Sequence, residues 1–362
     1  MELSRPAEST PGLTGKFFER MARAGALAPS GDNLQPWSFR VDGDNLLVSH
    51  DPTRDSSLFN VQDLASFIAL GAALENITIA ASKDGYRSDI SYFPKGRNNE
   101  VVARVSFHSG EQPDPLAEVL DRRCTNRRPY EKTAISPATL ASLDVTKQFS
   151  TVNLYWVQEP IRLATLGKIV SRADRLIFEN QQIHNHLFST IRWSQAEVER
   201  TRDGLPIASL ELGKLGSLAF QRLKSWSLLQ FLNYLGFSRA AAGKSIELMR
   251  RCSAPALMTA FEVFGENFLE AGRAFQRLWL QATKNNLALQ PMTAVIFLQL
   301  RSRLGDYSGL TADQVTVVDQ LRRDLAGFFG RSPDVVPAML FRIGFAPDPS
   351  ARAIRRSVSI AS

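Results

Sequence analysis

Three short stretches of this 362-residue sequence, and its last residues, carry groups suited to a flat, polar, anionic ligand. The first runs from Ala28 to Phe39 as Ala-Pro-Ser-Gly-Asp-Asn-Leu-Gln-Pro-Trp-Ser-Phe, between a helical and an extended pattern. Its prolines fix the loop, Gly31 permits close backbone approach, and Ser30, Asn33 and Gln35 offer donors and acceptors to a heterocycle. A rigid connector whose Trp37 is simply core accounts for the same residues. The second, Arg122-Arg123-Cys124-Thr125-Asn126-Arg127-Arg128-Pro129-Tyr130, sets several guanidiniums around a hydroxyl, which suits a phosphate as scattered lysines do not. Taken alone, such a run is more often a solvated basic loop. The third, Asn286-Leu287-Ala288-Leu289-Gln290-Pro291-Met292-Thr293, follows a long helix, and a helix cap followed by proline explains it locally as well as a ligand would. Finally, Arg342-Ile343-Gly344-Phe345 leads to a tail carrying Arg352, Arg355 and Arg356, either a clamp on an anion or a solvated basic end.

Other chemistry is thinly supplied. Two cysteines, Cys124 and Cys252, are too few for a disulfide framework or a zinc site. His184 and His186, two apart on a helix, do not share a face and make a poor metal pair. No G-x-S-x-G, P-loop lysine or G-x-G-x-x-G occurs, and no residue reads as an obligatory nucleophile or general base. The formal charge is +7 and the pI near 9.6, but the basic residues are scattered, so nucleic acid is not expected as a partner. Met1 to Pro6 lacks a secretory pattern. The uncharged apolar runs 225–238 and 285–300 fall short of the ~18 residues of a membrane span. The expectation is a cytoplasmic protein with no transmembrane segment.

The elements that must position these groups follow from hydrophobic period and turn chemistry. A helix is predicted over 14–28, strands over 38–41 and 46–49 around an Asp-Gly-Asp-Asn turn, a long apolar helix over 57–84, and strands over 88–93 and 101–107. After a polar link at 110–115 come helices over 115–122 and 137–147, a strand at 152–157 and a mostly helical region from 160 to 252. Buried strands over 256–263 and 338–345 bracket helices over 267–286, 292–303 and 312–329. The class is helix-rich α+β with antiparallel or mixed sheets. Gly71, Leu74, Ile77, Ile79, Ala81 and Lys83 align without a gap on Gly272, Phe275, Leu278, Leu280, Ala282 and Lys284, a constant offset of 201. Each long helix is preceded by a helix and a strand, so the chain reads as two copies of one unit, residues 1–112 and 113–362, the second carrying an insertion at about 160–252.

The first stretch resembles the A-P-S-x-x-N-x-Q-P-W-x-F loop of the nitroreductase family, and Arg123-x-Thr125-x-Arg127 resembles that family's R-x-S-x-R/K phosphate motif with Thr for Ser. The third resembles the family's G-L-x-x-x-P loop, with Asn286 where Gly is usual. That resemblance implies one FMN per chain. Pro29, Ser30, Asn33 and Gln35 would meet the flavin ring; Arg123 and Thr125 the phosphate; Arg127 the pyrimidine edge; Gln290, Pro291 and Met292 the N5 side; and Arg355 or Arg356 the phosphate again. It also implies hydride transfer from NAD(P)H through the flavin to an electron-poor small molecule, a nitroaromatic or quinone, with no catalytic side chain. The ring loop lies only in the first half and the other motifs only in the second. That split resembles the Acg branch of the superfamily, a fused pseudodimer that would work as a monomer. In that branch the insertion would be a lid, plain core helices or an amphipathic patch that meets a partner or membrane being its other readings, and storage or sequestration of FMN without turnover is the alternative to catalysis.

Overall fold

The computed structural model describes residues 13–361, so the N-terminal hexapeptide read for a secretory pattern lies outside it. The chain is α+β. Helix α1 (Gly15–Ala26) is capped by Thr14, whose hydroxyl accepts from the Phe17 amide, and buries Phe17, Phe18 and Met21. Strands β1 (Trp37–Asp42) and β2 (Asn45–His50) form the expected hairpin, with Gly43 supplying the positive φ of its turn. Helix α2 (Leu64–Lys83) follows, then β3 (Tyr86–Tyr92) and β4 (Val101–Ser109).

The second run begins with α3 (Pro137–Ser142) and β5 (Val152–Trp156). Helices α4 (Pro160–Glu179), α5 (Gln181–Thr190), α6 (Gln195–Thr201), α7 (Gly213–Arg222), α8 (Trp226–Tyr234) and α9 (Phe237–Arg251) then fill the segment, interrupted by a two-residue parallel pair, β6 (Ile191–Arg192) and β7 (Leu205–Pro206). The chain returns through β8 (Ala254–Ala260), α10 (Gly265–Lys284), β9 (Ala288–Pro291), α11 (Thr293–Leu304), α12 (Ala312–Phe328) and β10 (Val336–Gly344). Its tail crosses back to the first sheet, where β11 (Ile360–Ala361) pairs parallel with β1.

The two sheets share a plan. The first runs β1-β2-β4-β3, with β11 outside β1; the second runs β5-β8-β10-β9. Apart from β11, every pairing is antiparallel. Between the sheets lie α2 and α10, packed so closely that a Cβ added at Gly71 would fall 2.0 Å from the Leu269 carbonyl oxygen, and one at Gly272 2.2 Å from that of Ile68. The contacts are reciprocal under the 201-residue offset. Gln276 donates to Asn76 (2.7 Å) while Glu75 receives Arg277 (2.6 Å) and Arg273 (3.1 Å), so neighbouring positions exchange partners across the interface. Glu75, almost fully buried, is tolerated because both guanidiniums neutralise it.

Several boundaries differ from expectation. The helix predicted over 57–84 begins at Leu64, because Gln62 and Asp63 take left-handed backbone conformations that no α-helix continues through. The segment 115–122 is a 3₁₀ turn over Pro115–Val119, and the helix predicted over 137–147 stops at Ser142. Strands β9 and β11 were not anticipated. One helical stretch, Val61–Lys83, is long and apolar enough to span a membrane, but it is mostly buried inside the fold.

Candidate functional site

Left-handed backbone at Asp32, Asn33 and Gln35 folds the 29–36 loop tightly. Asp and Asn adopt it at little cost, whereas Gln does so only where surroundings enforce it. Here the Ser30 hydroxyl accepts from the Gln35 amide (2.9 Å). The buried amide side chains then tie distant segments together. Asn33 donates to the carbonyls of Ile354 (2.9 Å) and Gly204 (3.2 Å); Gln35 donates to that of Arg202 (2.9 Å) and accepts from the Arg356 amide (2.9 Å). Pro29, Ser30 and Asp32 face a cavity and Asn33 lines the smaller one beside it, whereas Gln35 lines neither.

That cavity, about 410 Å³, lies between the loop, the start of α2, Trp279 of α10 and the Gln290-Pro291-Met292 edge. Such a volume suits a small organic ligand. Side chains of α4, α5 and α9, among them Phe178, Leu187 and Leu248, roof it. A second cavity of about 150 Å³ adjoins it, sharing Pro29, Ser30, Asp32, Thr125 and Arg127 and extending to Arg123, Arg352 and Arg355. The segment that carries Thr125 and Arg127 is docked on β9: Thr125 forms a bridge with Leu289, whose carbonyl receives the Asn126 amide (3.0 Å). This pairing brings the two motifs, 164 residues apart at Asn126 and Gln290, to one wall. Gln290 is oriented by Arg342, which donates to its Oε1 (2.8 Å), and the Met292 amide is taken by the Leu340 carbonyl (2.7 Å).

Electrostatics divide the arginines into two kinds. Arg356 pairs with Asp203, Arg352 with Asp348 (3.8 Å) and Arg128 with Glu211 (3.6 Å). Arg123, Arg127 and Arg355 have no carboxylate within ion-pair distance among the described residues. Arg123, 7% exposed, stacks over the Trp279 ring (4.4 Å) and donates to the Leu27 carbonyl (3.2 Å). Burial pulls its pKa down to about 9, and Arg355 and Arg352 push the same way. Arg355 donates to Asn33 Oδ1 (2.6 Å) and to the Ala28 carbonyl (3.0 Å), and burial lowers it to about 10. Arg127 reaches only the Ser209 carbonyl (3.4 Å) and is likewise lowered by burial. The Nε atoms of Arg123 and Arg355 are buried without partners. Desolvated cations without counterions are costly, so an anion held between them would relieve that cost. Of the two candidate clamps, Arg355 faces the cavity and Arg356 turns away to Asp203.

Sequence reasoning missed the titratable groups of the larger cavity. His186 of α5 lies 3.4 Å from Asp32; burial lowers its pKa, but Asp32 and Asp55 outweigh that and hold it above its ordinary value. Asp55 is raised by burial. Asp174 of α4, bonded to Ser245, is raised by burial to about 6. A signal for Asp174 was present: it stands between Val170 and Ile177 on the apolar face of its helix. Among the described residues no three of His, Cys, Asp and Glu converge as a metal site.

No family model matches this sequence. It is 25% identical over 354 residues to the uncharacterized protein MT1398 of Mycobacterium tuberculosis (strain CDC 1551 / Oshkosh), over 97% of this chain and 48% of that protein. The chain thus spans about half the length of the curated relative it matches. Among solved structures it is similar to oxidized iodotyrosine deiodinase bound to FMN and 3-iodo-L-tyrosine, with 12% identity, 67% of this chain and 96% of that one covered, and a TM-score of 0.37. A nitroreductase with bound FMN from Bacteroides fragilis matches at 10% identity, 65% and 90% coverage and TM-score 0.33. The FMN-dependent nitroreductase NfnB from Mycobacterium smegmatis, in complex with NADPH, matches at 14% identity, 67% and 94% coverage and TM-score 0.36.

Proposed function

We propose that this chain is a nitroreductase-like flavoprotein that binds one FMN across the two adjoining cavities and passes electrons from NAD(P)H to an electron-poor small molecule such as a nitroaromatic or quinone. One observation carries the reading: among the described residues, buried Arg123 and half-buried Arg127 and Arg355 have no carboxylate partners, two of them with orphaned Nε donors, around cavities lined by the three motifs. In this reading Arg123, Thr125 and Arg355 hold the phosphate by charge-assisted hydrogen bonds. Pro29 and Ser30 face Gln290, Pro291 and Met292 across the ring, and Arg127, shared by both cavities, favours negative charge on the ligand. Asn33 lines the phosphate end and steadies Arg355, while Gln35 and Arg356 act one step removed, as fasteners of the tail and the insertion. FMN supplies the hydride and electron transfer when bound; the side chains orient it, exclude water and hold the nearby cations. We further read the common strand order and the reciprocal α2–α10 contacts as an internal duplication, in which one chain makes the interface of a dimer and works as a monomer.

A second reading, storage of FMN without turnover, is favoured by the roof of α4, α5 and α9 and by the fasteners that join it to the loop. Anaerobic absorption spectra of the purified protein, with flavin quantified, separate the readings. Bleaching by NADPH or NADH supports the oxidoreductase. Flavin that resists both but is bleached by dithionite supports storage. No flavin band after incubation with FMN refutes both.

A further inference from the structure

Helices α7 and α8 have two apolar faces, and only one is covered. Phe220, Leu223, Trp226, Leu229 and Leu232 pack inward around Phe188 and Trp193. On the outside stand Leu215, Leu218, Leu228, Phe231, Tyr234 and Leu235, between 39% and 88% exposed. These are six of the nine large apolar side chains exposed among the described residues, gathered within 21 positions. Helix α7 buries no residue fully and α8 only Leu229. A helix that is apolar all round is normally covered all round, and a clustered bare face of this kind marks a contact surface.

Charge identifies what covers it. Residues 212–246 contain no Asp or Glu and five cations, Lys214, Arg222, Lys224, Arg239 and Lys244. The first four are exposed, and none has a carboxylate partner among the described residues. A second copy of the chain docking through this face would set four cations against four, which is unfavourable. An anionic lipid surface satisfies both features at once: leucine and phenylalanine enter the acyl boundary, lysine and arginine meet the headgroups, and Tyr234 has the amphipathic ring typical of that depth. We propose that the α7–α8 segment docks this chain on an anionic membrane surface. Helix α8 joins α9 at Gly236, whose φ of +93° makes the turn, and α9 presents Ala241, Ala242 and Ser245 to the larger cavity. Docking therefore sets the roof of that cavity beside the bilayer. The inference is independent of whether FMN occupies the site.

Flotation of the full-length protein with vesicles of phosphatidylcholine alone, or of phosphatidylcholine with phosphatidylglycerol, tests it. The expected result is co-flotation with the anionic vesicles only, weakening as salt rises. Lys214→Gln and Lys224→Gln should each lower partitioning about fivefold, the effect of one juxtamembrane cation. Leu218→Ser with Phe231→Ser should abolish it, and the thermal midpoint should hold because all four positions are exposed. Absence of wild-type binding to anionic vesicles overturns the proposal whatever the variants do. So does equal binding to neutral vesicles, or a wild-type dimer in light scattering that the double serine variant dissolves.

Discussion

Arg123→Met should move stability and flavin affinity in opposite directions. The fall of its pKa from 12.5 to about 9 corresponds to a cost on the order of 5 kcal/mol for holding the charged form in the folded chain. A depressed folded-state pKa places that cost at every pH below about 9, so it is present in full at neutrality. Methionine removes the charge and keeps a sulfur contact with Trp279, while the Leu27 carbonyl loses its donor and the cation–π stack is lost, together about 2–3 kcal/mol. The ligand-free variant should therefore be more stable by roughly 1–3 kcal/mol. FMN would lose two charge-assisted bonds from a buried fork, about 3–5 kcal/mol, or roughly two to four orders of magnitude in Kd. Thermal midpoints of flavin-free protein, with fluorescence titration of FMN, read both quantities. A variant that is less stable and binds FMN unchanged would make Arg123 a structural stacking residue and sink the phosphate assignment.

Arg355→Ala should weaken FMN by about two orders of magnitude, because it removes a second cation that faces the cavity without a carboxylate partner among the described residues. Arg356→Ala, which breaks the pair with Asp203, should alter FMN dissociation rate far more than the spectrum of the bound flavin; stopped-flow release into apoflavodoxin reads the difference. Gly71→Ala should cost more than ~3 kcal/mol in urea unfolding, since backbone on α10 stands where the methyl must go, whereas Gly15→Ala, facing open space, should be neutral or slightly stabilising. For Asp174 the folded pKa is raised, so the stability tied to its protonated form is complete below about pH 4 and lost as pH rises through about 6. Asp174→Asn should accordingly match the wild type near pH 4 and exceed it by roughly 2–3 kcal/mol near pH 7 in thermal melts.

The features legible in the sequence are those whose pattern is local. The loop at 29–36, the arginine run at 122–128 and the matched helices α2 and α10 each carry their pattern within a dozen or so consecutive positions. What escaped depends on partners far along the chain. The segment Ala288–Pro291 is four residues ending in proline, and it is a strand because β10 offers it an edge. Asn33 and Gln35 look like ligand donors, yet their partners are carbonyls 171, 321 and 167 residues away, and those partners decide their task. Arg355 and Arg356 are indistinguishable in sequence; adjacent side chains on an extended tail point to opposite sides, and the hydrogen bond from the Arg356 amide to Gln35 sets which one turns inward. The stretch Val61–Lys83 is long and apolar enough for a membrane span, yet most of it is buried in the core.

The proposed duplication bears on how many flavins a chain can hold. If α1 and β1 correspond to α3 and β5, the counterpart of the 27–36 loop is residues 143–151, Leu-Asp-Val-Thr-Lys-Gln-Phe-Ser-Thr. That connection has no proline, and its Leu143, Val145 and Phe149 are buried in the core. Arg273 lies over the Phe149 ring at 5.4 Å while pairing with Glu75 at 3.1 Å, so the cation on this side is already neutralised. Here side chains occupy the space that the other half leaves open, and the nearby charge has its counterion. On that proposal the two ends of the interface differ as a packed core and a cavity lined by cations. Flavin titration followed by absorbance should saturate at one FMN per chain, and Phe149→Ala should lower stability by about 3–5 kcal/mol without opening a second site. A stoichiometry of two in the wild-type chain would contradict both the asymmetry and the assignment of Arg123, Arg127 and Arg355 as the cations that select the ligand.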